Sequence, residues 1–495
     1  MYKSSVKPHY QRIRKVKTHS GSTAIQVGSY RGKNFILKKH IGSAKDTAKI
    51  DELITLAAEY IRSHAPQLPF NFNPQSDEVL FKRGVKVKES CLQTAYDYLE
   101  SIYASLGLNH LHSPVLKHFT MMRVLEPASK IKSIALLNKY FGICYTKTTA
   151  FRKLAKLITL AKLITLKEDV IKAAIAYAQR NLHFDFSLVF YDVTTLYYET
   201  FKEDELRAHG FSKDNKINQP QILIGLVVNR DGFPIYYDIF KGNTCEGKTI
   251  IPVIVQIKEK YHIDSFTVIA DAGMLSSENL VELDRLGFGY IVGGRTGKLT
   301  LKEAQQIAEW LKGVNHKIVR IGETIYEYST KRATKDKSDN DKQLQKALYL
   351  LSHPGQVFKR SALLAGNGKR SFRLNEVLVE KHRLLEGIKG YRTNITRIPD
   401  KLLIDRYHDL WKVEQAFRIT KSDLEARPIY HRKKESIEYH ILIVFVALCM
   451  GKIIELTQGR TLQRVIDELK DKWTLTLYDE ISGNTLKVML EHKPH

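Results

Sequence analysis

Cysteine is scarce in this chain: four residues in 495, at Cys91, Cys144, Cys245 and Cys449, with no CxxC pair among them. That spacing excludes a zinc ribbon and a disulfide framework and fits a reducing compartment. His110 and His112 form an isolated HxH with no second ligand pair, so they read as ordinary loop or helix residues. Long hydrophobic runs are also missing. The longest, residues 441–450, holds ten residues, too few to cross a bilayer, and reads as a buried helix. No apolar signal-peptide core opens the chain, and the expectation is a soluble, cytoplasmic protein with no membrane partner. Acid is the other deficit. Lys plus Arg number 78 against 53 Asp plus Glu, a net charge of +25, which calls for a polyanionic partner. The deficit is deepest in residues 1–50, where twelve Lys and Arg face one acid, Asp46. This is the electrostatic footprint of a nucleic-acid contact; the plainer alternative is a basic arm.

What is present is globular: 43% of residues are hydrophobic and 26% charged. The length exceeds a single core and suggests about two to four domains. Residues 1–75 read as a basic hairpin and helix, with strands over 23–27 and 34–38, a helix over 46–64, and a linker holding Pro66, Pro69 and Pro74. Residues 76–185 read as helical, with candidates at 89–106, 115–125, 129–140 and 148–166, a block open equally to DNA binding, dimerisation or plain packing. Within the last candidate LAKLIT occurs twice in tandem, at 154–159 and 160–165, a local duplication rather than a solenoid. From residue 186 the pattern changes to strands and helices. SLVFYDVTTLYYE (187–199) is a buried strand, ILIGLVVN (222–229) and FPIYYDIF (233–240) form a hairpin, and SFTVIAD (265–271) is another buried strand. Residues 186–299 and 396–456 make up a mixed α/β core. Residues 300–395 read as a β-rich insertion between them, and 457–495 as a C-terminal tail.

Three acids stand out. Asp192 follows LVFY in the first core strand, and Asp271 ends the VIAD strand. Carboxylates at the tips of neighbouring buried strands are costly unless cations pair with them, and a metal is an effective partner. The third, Glu414, lies in IPDKLLIDRYHDLWKVEQAFRITKSDLEARPIYH (398–431). Helical positions three, four and seven apart share a face, so Glu414 gathers Tyr407, Trp411, Arg418 and Lys421 on one stripe. That stripe suits a metal-binding acid beside a nucleic-acid backbone; the plainer alternative is an amphipathic helix with a surface Glu–Arg pair. Together the three acids have the donors for two Mg²⁺ ions, which at a separation of about 4 Å serve phosphodiester displacement. A competing motif, GNTCEGKT (242–249), satisfies G-x-x-x-x-G-K-[ST]. Its context is wrong for a P-loop, because a hairpin arm with Pro234 and Asp238 precedes it and only a short helix follows.

These residues carry a resemblance. Tyr407, Glu414 and Lys421 match the Y-x2-R-x3-E-x6-K spacing, with Leu410 at the arginine position. With YDVTTLYYE around Asp192, GFSKDNKINQPQI (210–222), FKGNT, ADAGMLSS around Asp271 and LEARPIYH (424–431), the chain resembles DDE transposases of bacterial insertion sequences. The likeness extends over roughly residues 110–450. It implies an RNase H-like mixed sheet core, interrupted by the β-rich insertion and preceded by the mainly helical region. Asp192, Asp271 and Glu414 are then the catalytic metal ligands for two Mg²⁺ (or Mn²⁺) ions. Tyr407 and Lys421 grip the element's terminal DNA, and Arg418 stands in for the missing arginine. The implied reaction nicks the element end and joins the freed 3′-hydroxyl to target DNA without ATP. A homodimer is implied on paired terminal repeats, at the nucleoid of a bacterial cytoplasm. Two alternatives stay open: a non-catalytic DNA-binding repressor derived from such an enzyme, and a P-loop ATPase.

Overall fold

Alternating apolar residues build the first part of the chain around a small sheet. The computed structural model describes residues 12–31, 34–63, 85–146, 148, 160–199, 202–210, 218–263, 265–274, 276–353, 362–366, 372–427, 429, 431, 433–479 and 483–491. These fall into two compact units, Met1–Lys86 with Asp479–Ser482, and Val87–Tyr478 with Gly483–His495. In the first, β1 (Arg12–Lys17), β2 (Thr23–Arg31) and β3 (Asn34–Ala44) form an antiparallel sheet in that order, followed by α1 (Thr47–Ser63). Ile13, Ile25, Val27 and Ile41 pack on Ile50, Leu53, Ile54, Ala57 and Tyr60 of the helix. Residues 12–17, expected in a basic arm, are a strand because they pair along β2 from Thr23 to Gly28 and Ile13 reaches this core. The proline-bearing stretch and the first LAKLIT copy lie outside the described residues.

The second unit begins within β4 (Val85–Cys91) and continues with four helices, α2 (Gln93–Ser105), α3 (Pro114–Leu125), α4 (Lys130–Phe141) and α5 (Leu160–Asn181). Ser113 and Ser129 cap α3 and α4 by accepting from the N–H groups three residues on. Residues 89–91, expected in a helix, belong to β4, whose backbone groups are taken up by a later strand. The core sheet follows: β5 (Leu188–Tyr197), β6 (Gln221–Val228), β7 (Pro234–Lys241), α6 (Ile250–Tyr261), β8 (Thr267–Ala270), α7 (Ser277–Leu286) and β9 (Gly289–Gly294). At the β6–β7 turn Asn229 Oδ1 accepts from the N–H groups of Asp231 and Phe233 (2.9 and 2.8 Å), and Gly232 takes φ +75°. All eight residues of β6 are buried, as expected of a strand covered on both faces.

Residues 300–395 overturn the expectation of a β-rich insertion. They comprise α8 (Leu301–Leu311), β10 (Ile318–Ile321), β11 (Thr324–Tyr328), α9 (Thr330–Ser352), β12 (Leu364–Gly366), β13 (Phe372–Leu374), α10 (Glu376–Leu384) and β14 (Ile388–Thr393), with more helix than strand. The polar KRATKDKSDNDK stretch is the body of α9. It holds no Gly or Pro, Ser329 caps it, and Arg332 pairs with Asp336 one turn on at 3.2 Å. The longer strands of this segment join the core sheet, whose order is β10-β11-β14-β9-β8-β5-β6-β7. β5, β6 and β7 are antiparallel, β5–β8–β9 are parallel, and β9–β14–β11–β10 are antiparallel. Tyr328 and Ile388 are paired across the β11–β14 ladder, so the chain leaves and re-enters the sheet at one place.

α11 (Asp400–His408) and α12 (Trp411–Arg418) come next, then a π-helical turn (Ile419–Asp423) and α13 (Lys434–Gln458). α13 is apolar all round; it is long and apolar enough to cross a membrane, yet 94% of its most apolar window is buried inside the protein. It packs against α2, α3, α5 and β7 and is the central helix of the core. The tail folds as α14 (Leu462–Lys470), β15 (Lys472–Asp479) and β16 (Thr485–Glu491), in a sheet ordered β16-β15-β4.

A basic cluster is buried where α3, α4 and α13 meet the segment after the π-turn. Arg123 donates to the carbonyls of Ala128, Leu424 and Glu425 (3.0, 3.4 and 3.4 Å), and Glu425 takes φ +42°. The rings of His431 and His440 are 5.4 Å apart. Burial, then the charges of Lys130 and Arg123, pushes His431 down to about 4. Burial, reinforced by Arg123, holds fully enclosed His440 well below its ordinary value. Both rings therefore stay neutral in the fold but take up a proton near pH 6.5 once unfolded. The sign follows: the contribution of His431 is intact above about pH 6.5 and is lost as pH falls through about 4, and that of His440 is lost in the same direction. For His431 alone the loss is on the order of 3 kcal/mol. Denaturant unfolding across pH 7 to 4 should show this acid limb, and His431→Asn should flatten it. An unchanged limb in the variant would refute the assignment.

Candidate functional site at the strand tips

β5 and β8 pair in parallel with Leu188 opposite Thr267, Val189 opposite Val268 and Phe190 opposite Ile269. The offset is 79 residues (267 − 188), the same as that between Asp192 and Asp271 (271 − 192). Continuing the register two residues past Phe190 therefore brings the two acids level on adjacent strands, which lie about 4.8 Å apart. Asp192 is the one residue between Leu188 and Leu196 that is not fully buried. Its side-chain direction follows from alternation. Thr194 and Leu196, on the same face, line a small cavity with Phe417 and Thr420, whereas Tyr191 points the other way and donates to the Thr249 hydroxyl at 2.7 Å. Asp192 thus lies on the sheet face that α12 covers. Asp271 is exposed just beyond β8. Each aspartate accepts the N–H of the following residue, Val193 and Ala272, both at 2.7 Å.

β8 and β9 pair with Ala270 opposite Val292, which puts Asp271 level with Gly293. A Cβ at Gly293 would lie 2.9 Å from the Tyr407 hydroxyl and 3.3 Å from Ala272 Cβ. The glycine is therefore the seat of the Tyr407 phenol, one residue along from the Asp271 tip. Tyr407 is 6% exposed. Burial, then the carboxylates of Asp271 and Glu414, pushes its phenol up to about 12 against the opposing charge of Arg332.

The single helical stripe expected through Glu414 is broken at two places. α11 ends at His408 and α12 begins at Trp411, so Tyr407 and Glu414 stand on different helices. Leu410, at the arginine position of the signature, is buried, as its apolar side chain requires. Within α12 the stripe holds: Trp411, Glu414 and Arg418 are exposed, and Val413, Ala416 and Phe417 are buried on the side that packs against β5 and β6. The π-turn then widens the spiral, with Leu424 N–H donating to Ile419 O at 2.9 Å. Lys421, half-buried within it, is no longer one of a straight row with Glu414. Arg418 acts on Asp423, opposing the burial and the Glu455 charge that raise that carboxyl.

Sequence reasoning missed Lys389. On β14 its neighbours Ile388 and Gly390 are buried, and its ammonium lies 4.5 Å from the ring centre of Tyr407 and 5.2 Å from that of Tyr391. Burial and Arg332 lower its pKa, while Asp271, Glu327 and Glu414 raise it. Tyr407 and Lys389 thus share the fields of the same two carboxylates, Asp271 and Glu414. Glu327, opposite Lys389 in the β11–β14 ladder, is buried and accepts from the Tyr391 hydroxyl at 3.3 Å. A lysine in an otherwise apolar strand (IKGYRT) was the available signal. Among the described residues, no three His, Cys, Asp or Glu side chains are gathered closely enough to hold a metal ion.

The GNTCEGKT segment does other work. Its preceding strand, β7, is the antiparallel edge of the sheet. Thr249 is fully buried, donating to Glu246 O at 2.6 Å and accepting from Tyr191. At Gly242 a Cβ would lie 2.0 Å from Gln221 O and 2.3 Å from Ala208 O, so glycine permits a close backbone crossing. The N–H groups of Thr244, Lys248 and Thr249 are spent within the segment on the carbonyls of Lys241, Cys245 and Glu246.

A profile of the Transposase DDE domain family matches residues 183–450, more than half of the chain. The chain belongs to this family. No curated protein matches it. The matched transposase domain runs from just before β5 into α13 and contains Asp192, Asp271, Tyr407, Glu414, Arg418 and Lys421 together with Gly293 and Lys389. The first unit and α2–α5 lie outside the match.

The Tyr407 seat is testable by overpacking. Gly293→Ala should destabilise the transposase by about 1–3 kcal/mol in denaturant unfolding. Adding Tyr407→Phe should recover most of that loss by removing the oxygen the new methyl meets. Wild-type stability in the single variant would show that the hydroxyl is not seated there.

Proposed function

We propose that this transposase acts on the ends of an insertion sequence, cleaving and transferring DNA strands with Asp192, Asp271 and Glu414. The observation that carries the reading is the parallel β5–β8 register, whose extension past Phe190 and Ile269 brings Asp192 and Asp271 level. The joint action of Asp271 and Glu414 on Tyr407 supports it. Three antiparallel strands followed by two parallel ones, β7-β6-β5-β8-β9, support an RNase H-like description of the core.

The donor set fits divalent metal in its chemistry: three carboxylates are hard oxygen ligands of the kind Mg²⁺ and Mn²⁺ prefer, two of them on adjacent central strands. Two such ions, when bound, supply Lewis-acid activation of the attacking oxygen and stabilise the leaving oxygen. The chain's own groups orient the DNA. Tyr407, its phenol kept protonated to about 12 by burial and the two carboxylates, donates a hydrogen bond to a backbone phosphate. Arg418 and Lys421 on α12 and the π-turn hold the terminal DNA, and Lys389 supplies positive charge beside the acids. Two copies pair the element ends, and the site of action is bacterial cytoplasmic DNA. Retention of all three acids favours activity over a repressor role, and the buried Thr249 hydroxyl removes support for the ATPase alternative.

The deciding experiment is cleavage of the gene's own flanking DNA with Mg²⁺ or Mn²⁺ and no nucleotide. Nicks at a fixed boundary should appear with wild type and vanish with chelator. Asp192→Asn and Glu414→Gln should each lower the rate by at least about 100-fold while leaving DNA binding intact. Binding without cleavage by all three proteins would establish the repressor instead.

A further inference from the structure

The first unit divides its charge between its elements. The strands β1, β2 and β3 contain seven Lys and Arg and no acid, whereas Asp51, Glu52 and Glu59 all lie on α1. The helix covers one face of the sheet through Ile13, Ile25, Val27 and Ile41. Alternation therefore turns Arg12, Arg14 and Gln26 to the open face. The strand register arranges that face in rows: Arg14, Gln26 and His40 are opposite one another across the three strands, and so are Arg12, Gly28 and Leu37. Phe35 lies over Gly28, where a Cβ would come within 2.7 Å of its ring. The Arg14 guanidinium carbon stands 5.1 Å over that ring, and Tyr30 meets it edge-on at 5.1 Å. Tyr30 and Leu37 are about half exposed, at 47% and 51%.

We propose that this open sheet face docks into the major groove of duplex DNA, with Arg12, Arg14 and Gln26 meeting base edges. The inference rests on the reading of the chain as a DNA-processing transposase and assigns the surface that selects the DNA. The dimensions agree: three strands span about 10 Å between the outer two, and the groove is about 12 Å wide. The chemistry agrees too. Arginine reads guanine, glutamine reads adenine, and the exposed Tyr30 and Leu37 offer apolar contact for thymine methyls. His40, opposite Gln26 on the open face, and Lys38, exposed on the outer strand β3, are the basic groups nearest this row for phosphates. α1 is not the reading element, because its apolar stripe is spent on the sheet and its acids repel phosphate.

The test uses the full-length protein and two duplexes, one carrying the gene's flanking DNA and one of shuffled sequence. Arg14→Lys, which keeps the charge but loses the two-pronged donor, and Gln26→Ala should each lower the flanking-to-shuffled affinity ratio about tenfold. Affinity for the shuffled duplex and thermal unfolding should not change, and Lys49→Gln on α1 should leave the ratio as it is. A wild-type ratio in both face variants would overturn the inference alone, as would single-stranded DNA competing as well as duplex. Wild-type protein that neither prefers nor cleaves the flanking duplex would overturn the inference together with the transposase reading beneath it.

Discussion

The candidate site depends on the parallel pairing of β5 with β8. Its register, extended past Phe190 and Ile269, brings Asp192 and Asp271 to the same height. In a parallel ladder that height is set by backbone hydrogen bonds and by the apolar residues that fix which face is buried. A one-residue slip of β8 would move Asp271 off the level of Asp192 and drive Val268 and Ala270 toward the wrong face. The core therefore defends the register on behalf of the site. Asp192 is tolerated in a strand whose other central residues are buried because it stands near the end of the β5–β8 ladder, on the face α12 covers.

Around that pair the remaining groups arrive from later in the chain. β9 extends the parallel register and ends in glycines, leaving space for the Tyr407 phenol beside Ala272. β14 then pairs with β9 and carries Lys389 to the same ring. α12 buries one face on β5 and β6 and leaves Glu414 exposed on the other. Four segments distant in sequence thus share one electrostatic neighbourhood, in which Asp271 and Glu414 act on both Tyr407 and Lys389.

Much of this was legible from residue patterns. The strands around Asp192 and Asp271 announced themselves by β-branched apolar runs, and the hairpin by its Asp-Gly turn, since both signals are local. The acids drew notice as carboxylates within or just after such runs, where burial makes them costly. Register was not legible, because it is a relation between strands and leaves no mark in either one. The straight Glu414 stripe failed for a related reason: periodicity assumes a continuous helix, and neither the break at Leu410 nor the π-turn alters composition. The helical nature of 330–352 was hidden because its polar face has no apolar period to read, and its stability comes from a cap and an ion pair one turn apart. Lys389 was passed over because a lone lysine in a strand is ordinarily a solvated edge residue.

The pairing of Tyr328 with Ile388 carries a consequence for how the molecule can vary. The chain leaves the sheet after Tyr328 and returns to it at Ile388, one pair of opposed positions in a β-ladder, in the place where a short turn would suffice. Closing a longer loop at fixed ends adds little entropy for each doubling of its length. This segment is therefore a port at which chain can be gained or lost while the sheet stays in frame. The port opens one residue from Glu327 and Lys389, so its ends lie beside the site. Arg332, already acting on Tyr407 from within it, shows how a change of length there becomes a change of local charge.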